Sequence, residues 1–285
     1  MITFALRNLK LFFRDRASVF FSLLAVFIII GLYVLFLGDT VMADMEGVPA
    51  ARFLMDSWIM AGLLAVTAVT TTMGAVGVVV EDRARGIAQD FQTSPIKRST
   101  IVGGYLLSTL TVGVVMGLVA LLLTELYIVA NGGSILPIAG LVKVLGLILL
   151  STTVSGAILF FLVSFFKTQN AFGVASTVVG TLIGFLMGIY VPLGVLPPSV
   201  QTAIKLFPIS HAACLFRQVL MEVPMNLAFA GAPGAVLEEF QTMMGVVFRF
   251  GDSAVSPWVS LLILVVTALV FFTLGVWRML YRSQG

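Results

Sequence analysis

The apolar positions fall into six long runs, at residues 17–37, 58–80, 101–129, 138–166, 171–191 and 257–277. A helix needs about 20 apolar residues to cross the hydrocarbon of a bilayer, so each run predicts a membrane-spanning helix. The third and fourth are long enough to tilt or to project beyond it. Ahead of the first run, residues 1–16 alternate differently. Thr3, Arg7, Lys10 and Arg14 fall on one helical stripe, and Ile2, Leu6, Leu9 and Phe13 on the opposite one. That pattern predicts a helix lying in the membrane interface. A secretory leader cleaved near Val41-Met42-Ala43 is the alternative, but run 17–37 exceeds the roughly 7–15 residues of a leader's apolar region.

One polar interruption is unlike the others. Residues 81–99 carry seven charged side chains between the second and third runs. Ile87 and Phe91 sit four apart and share one face of a short helix. Ser94-Pro95 ends it, because a residue before proline is pushed out of the α region, and Ser99 is placed to cap the next span. A short amphipathic helix held at the membrane surface by two spans suits docking into a groove on a soluble partner; the plainer reading is a solvated loop.

Composition and charge sharpen this picture. The chain of 285 residues is 60% hydrophobic and 10% charged, whereas soluble domains carry roughly 25% charged residues. It is an all-α integral membrane protein, read as a single transmembrane domain over 1–285. With the N-terminus in the cytoplasm, the inner segments hold eleven basic residues and the outer ones four. The positive-inside rule then places both termini and 81–99 in the cytoplasm of a multi-pass cell-membrane protein. Lys143, at the outer end of the fourth span, snorkels outward. The net charge of +3 is spread in small groups and is no nucleic-acid signal.

Among the outer segments, 38–57 is short and acidic and 131–137 is a tight Gly-Gly loop. Residues 192–256 are far longer. Their first part is apolar and broken by prolines, a helix near the outer surface is expected from Ser210, and 223–256 reads as loop with a helix around 238–250.

Candidate chemistry is sparse. There is no phosphate loop, so this chain does not hydrolyse nucleotide by that means, and no zinc-binding spacing. Cys214 excludes an intrachain disulfide. His211 and Cys214, three apart, share a helix face and read as structural rather than metal-binding. Glu125, the only acid within an expected span, reaches the outer interface, so the buried carboxylates of a proton-coupled carrier are missing. The second span carries Thr67, Thr70 and Thr71; the fifth carries Ser176, Thr177, Thr181 and Met187 beside Gly180, Gly184 and Gly188. Such residues serve ordinary packing, the glycines as a small-residue ridge. They also suit a route for amphipathic cargo.

Taken in order, these features resemble the ABC type-2 (ABCG-like) exporter permeases. Glu81…Arg85-Gly86…Phe91…Ser94-Pro95, with Gly103 or Gly104 after it, is similar to that family's pattern around its coupling helix. Phe207-Pro208-Ile209-Ser210-His211…Arg217 resembles its proline-led motif after the fifth span, and Leu6-Arg7-Asn8-Leu9-Lys10 its N-terminal stretch. The resemblance implies a half-transporter that pairs with a second copy or paralogue. It also implies a separate ABC ATPase subunit that would bind ATP and Mg, this chain holding no cofactor. Glu81, Arg85, Gly86, Ile87, Phe91, Ser94 and Pro95 would form the ATPase-coupling site. Segment 192–256 would be reentrant, with Pro208, His211, Phe216 and Arg217 at the outer gate. The outer connection is longer than in compact drug exporters, which leaves the cargo class open. The rival readings are a secondary carrier or channel, which would need a charged midplane site, and a non-transporting immunity or sensor subunit.

Overall fold

The computed structural model describes residues 1–33, 48–93 and 96–281. The proposed leader-cleavage residues, the first half of the acidic segment 38–57 with Asp39, Asp44 and Glu46, and the Ser94-Pro95 pair lie outside the described residues.

Helices α1 (Ile2–Arg14) and α2 (Arg16–Leu32) meet at a 76° bend. Asp15 makes the turn: its backbone is extended, and its carboxylate accepts from the amides of Ala17 and Ser18 at 3.0 and 3.3 Å, capping α2. The long helices follow as α3 (Ala51–Ala84), α5 (Arg98–Ala130), α6 (Ile138–Val163), α7 (Gln169–Leu186) and α12 (Pro257–Tyr281). All five are long and apolar enough to cross a membrane. Between α3 and α5 stands the short α4 (Ile87–Thr93).

Helix α3 is the axis of the bundle. At 34 residues it is about 50 Å long, well beyond its expected run 58–80. It packs against α2, α4, α5, α6 and α7, and is buried over most of its length. Its extra turns draw two carboxylates into the bundle, Asp56 at 1% and Asp82 at 2% exposure. Glu125 is therefore not the only acid on a long helix; it accepts from the Leu136 amide. Helices α5 and α6 cross closely because Gly113 and Gly117 leave room for Thr152 and Ile148.

Helix α7 departs from expectation. It stops at Leu186, five residues short of the expected end, because Gly188 adopts φ +62 and turns the chain. Gly188 is thus outside the helix. Gly184 is covered by the ring of Tyr190 from the following turn, and nothing lies near Gly180. The three glycines do not form one ridge seating another helix. Most of α7 is exposed, including Val174, Val178, Leu182 and Phe185.

Segment 192–256 is mostly ordered into α8 (Pro198–Leu206), α9 (Ser210–Leu220), α10 (Glu222–Ala228), α11 (Gly234–Met243) and a two-stranded hairpin of β1 (Arg249–Phe250) and β2 (Ser253–Ala254). The expected helix around 238–250 therefore lies earlier, and its second half is turn and strand. Helix α9 begins at Ser210 as expected, yet it is buried against α3, α6 and α12 rather than spread on the surface.

Candidate coupling site and outer clamp

The charged island begins as the last turn of α3, where Glu81 and Arg85 pair at 2.8 Å on the exposed side. Gly86 then takes φ +76, a conformation that costs L-residues energy, and α4 starts at once. This explains why glycine stands at the turn. Ser99 does not cap α5; Lys97 precedes the helix, which already includes Ser99.

Helix α4 is fastened to the chain itself. The Phe91 ring meets Phe4 of α1 edge-on at 5.0 Å, and the Arg7 guanidinium lies 5.2 Å from the Phe91 centroid. Ile87 is half-buried, while Gln89, Asp90 and Thr93 are exposed. The pair Ile87 and Phe91 is thus divided: Phe91 anchors α4 inward, and the face turned outward is mainly polar.

Beneath α4 lies a cluster that the sequence patterns did not reveal. Arg7 donates to both carboxylate oxygens of Asp82, at 2.7 and 2.8 Å. Tyr105 of α5 donates to Asp82 at 2.6 Å, and Asn8 reaches Ser108 at 3.4 Å. The Tyr105 ring also meets Phe4 at 5.0 Å. Three helices, α1, α3 and α5, are therefore locked around one buried carboxylate by a bidentate, charge-assisted pair. The buried face of α1 is Phe4, Ala5, Asn8 and Phe12, so Ile2, Leu6 and Phe13 stay exposed. One residue along, Arg83 donates to the carbonyls of Val163 and Phe166 at the end of α6 and contacts the sulfur of Met279. A spacing clue did exist: Asp82-Arg83 at a span end needs partners if drawn into the bundle.

At the opposite end, one of the expected outer-gate residues, Arg217, is held by backbone carbonyls and a tryptophan ring. Arg217 is buried, and its Nη2 donates to the carbonyls of Met187 and Gly188, at 2.7 and 2.9 Å. Its Nη1 reaches the Gly245 carbonyl at 3.5 Å, and its guanidinium lies 5.0 Å from the Trp58 ring centroid. Trp58 in turn donates to the Met244 carbonyl at 2.7 Å. Among the described residues no acid pairs with Arg217. Its charge is met by carbonyl dipoles at the ends of α7 and α11 and by the Trp58 face. Burial lowers its pKa to about 10, a value that still keeps it protonated at neutral pH. Gly188 and Gly245, at φ +62 and +66, let these carbonyls turn toward it.

Nearby, His211 bridges the Ser260 hydroxyl and the Lys205 carbonyl, both at 3.0 Å, and burial pushes its pKa below the ordinary value. Cys214 donates to the Val246 carbonyl, and burial raises its thiol to about 12. Both are occupied structurally. Phe216 is fully buried and Pro208 half-buried.

The expected cargo-path residues do not share one surface. Thr70 and Ser176 line a cavity of about 290 Å³ between α2, α3 and α7, with Met73, Phe21 and Phe172. Thr67 and Thr71 are buried and donate to the carbonyls of Leu63 and Thr67. Thr177 and Thr181 lie on the exposed flank of α7 and bond their own helix. Met187 is buried, its carbonyl held by Arg217.

The family model for ABC-2 family transporter proteins matches residues 49–277, from just ahead of α3 into α12. The chain belongs to the ABC-2 transporter family. It is a membrane permease of an ABC transporter, multi-pass and built of helices. The match covers both the α3–α4–α5 unit and the Arg217 clamp of this permease, while α1, which supplies Arg7, precedes it. No curated protein matches the chain.

Proposed function

We propose that this permease is one membrane half of an ATP-driven exporter, working as a pair with a second permease and two separate ATPase subunits. ATP and Mg belong to the partner, and α4 is the surface on which it docks. The observation that carries this reading is the short α4, held by Gly86 and Phe91 between the two longest apolar helices with a polar face turned outward. Such a helix transmits force only if it is fixed to the spans, and the Arg7–Asp82–Tyr105 cluster fixes it. In this reading α1 lies in the interface and α2 is the sixth span, its 76° bend at Asp15 marking the membrane surface. Segment 192–256 folds back on the outer side, and both termini are cytoplasmic. The cavity beside Thr70 and Ser176, with hydroxyls among Met and Phe, suits amphipathic cargo.

Docking is tested at Ile87 and Asp90, because Phe91 is committed to the permease itself. Ile87→Asp combined with Asp90→Lys is expected to leave the protein in the membrane but cut copurification with its ATPase at least ~10-fold, the effect of losing about 1.4 kcal/mol of contact. Copurification at wild-type yield would refute docking at α4.

Topology is tested by an impermeant thiol reagent. Gln89→Cys is expected to react only after permeabilisation, and Ala235→Cys on exposed α11 in intact cells. Buried Cys214 gives little background. Reaction of Gln89→Cys in intact cells would reverse the orientation.

A further inference from the structure

The membrane-facing side of α5, α6 and α12 holds a second crevice, of about 280 Å³, none of whose lining residues line the Thr70 cavity. Its walls are apolar, chiefly Leu106, Leu107, Leu110, Ala157 and Phe272; the three leucines are half-buried and Phe272 is exposed. All three helices place it at the same depth. The α5 residues lining it, from Gly103 to Leu110, lie five to twelve residues from the helix start, roughly 8–18 Å. Those of α6, from Thr152 to Ala157, lie six to eleven residues before its end, and Phe272 nine before the end of α12, roughly 9–16 Å. Half a hydrocarbon core measures ~15 Å, so the crevice belongs to one leaflet.

The ends of these same helices carry the charge that a headgroup in that leaflet would meet. Arg98 opens α5 and reaches across to the Leu280 carbonyl, in the last turn of α12, at 3.5 Å. Arg278 stands in that same turn, its guanidinium 3.7 Å from the ring centroid of Phe165, and exposed Lys167 follows Phe165 closely. Among the described residues no acid pairs with any of these three cations. The last carbonyls of α6 do not offset them either, because Arg83 takes those of Val163 and Phe166. Trp277 is exposed beside Arg278, as suits a ring at the membrane surface. We propose that the crevice and its cationic rim bind an anionic diacyl phospholipid of the adjoining leaflet, with one chain in the crevice and the phosphate held by Arg98 and Arg278. The volume, just under the ~300 Å³ of small ligand pockets, suits a stretch of one chain and not a headgroup as well. Guanidinium forks match phosphate oxygens, and a zwitterionic headgroup would bring a further cation to a rim without acids. An acidic protein surface would meet the charge but leave the crevice, on the lipid side, unfilled. The site stands independently of the ATPase reading and of which side of the membrane these ends face.

The probes are dioleoyl phosphatidylglycerol and dioleoyl phosphatidylethanolamine, and the readout is lipid retained by the purified full-length protein in native mass spectrometry. Wild type is expected to retain the anionic lipid ~10-fold better, the effect of two cations close to one headgroup. Arg98→Gln with Arg278→Gln should abolish that preference, whereas the paired change to lysine keeps the charge and should retain most of it. Lys10→Gln with Arg14→Gln removes the same charge from exposed positions of α1 and should leave the preference unchanged. Leu106→Trp fills the crevice and should lower retention of both lipids. Glycerol phosphate, a headgroup without chains, should not displace bound lipid. Equal retention of the two lipids by wild type, which needs no variant to fold, would overturn the proposal. An equal loss of preference in the α1 variant would do the same, by showing general attraction to a basic protein. Undiminished retention by Leu106→Trp, or displacement by glycerol phosphate, would remove the chain from the crevice and the proposal with it. If the paired glutamine protein keeps its lipid preference but releases its ATPase, the rim is a protein-docking surface and the proposal falls.

Discussion

Asp82→Asn is expected to leave the permease assembled but strongly uncoupled, with transport falling ~10-fold or more while ATPase copurification persists. The carboxylate is the junction at which α1, α3 and α5 meet, and the substitution strips Arg7 of its bidentate partner while leaving it half-buried. Breaking a buried pair from one side costs about 3 kcal/mol. Tyr105→Phe removes only one hydrogen bond to the same carboxylate and should cost nearer 1 kcal/mol, with a correspondingly milder transport defect. The measurement is transport and cargo-stimulated ATP hydrolysis by the reconstituted complex, beside thermal unfolding of the permease alone. Wild-type coupling in Asp82→Asn would show that motion at α4 passes to the spans through the Gly86 turn alone.

Arg217→Met is expected to loosen the outer segment by about 2–4 kcal/mol, since it removes the cation that satisfies the carbonyls of Met187, Gly188 and Gly245. Arg217→Lys should recover little of this. An ammonium is a point charge and cannot spread donors across carbonyls on two separate turns. The direct readout is Cys214, whose buried thiol lies one helical turn from Arg217 and is unreactive while α9 stays packed. Faster modification of Cys214 in both variants, with lowered thermal stability, is the expected result. If Arg217→Lys keeps Cys214 as protected as wild type, fixed charge rather than the guanidinium fork organises the segment.

Acidification should loosen the same region through His211. Burial disfavours its charged form, so the folded pKa lies below the unfolded one. The stability held by the neutral ring is fully present above the unfolded value near 6.5 and is lost as pH falls from there through the lower folded value.

What the sequence determined by itself is what hydrophobic length and local backbone chemistry dictate. The apolar runs specified membrane helices, because a span must satisfy its own backbone bonds within hydrocarbon. The α3–α4–α5 order followed from one charged interruption, and the start of α9 at Ser210 stood where the local pattern put it. The tertiary structure decided everything that depends on which face meets which. Periodicity gave α1 an apolar and a basic stripe, but packing buried Phe4, Asn8 and Phe12 between them and turned Arg7 onto Asp82, 75 residues away. Phe91 was legible as apolar, though its contact with Phe4 was not, since both partners sit on short helices far apart in the chain. The glycines of the fifth run looked like one ridge at four-residue spacing; a left-handed turn at Gly188, held by Arg217, ended the helix before the spacing could act. Ion pairs and carbonyl clamps join residues whose separation follows no period, and only the packed bundle brings them within hydrogen-bond reach.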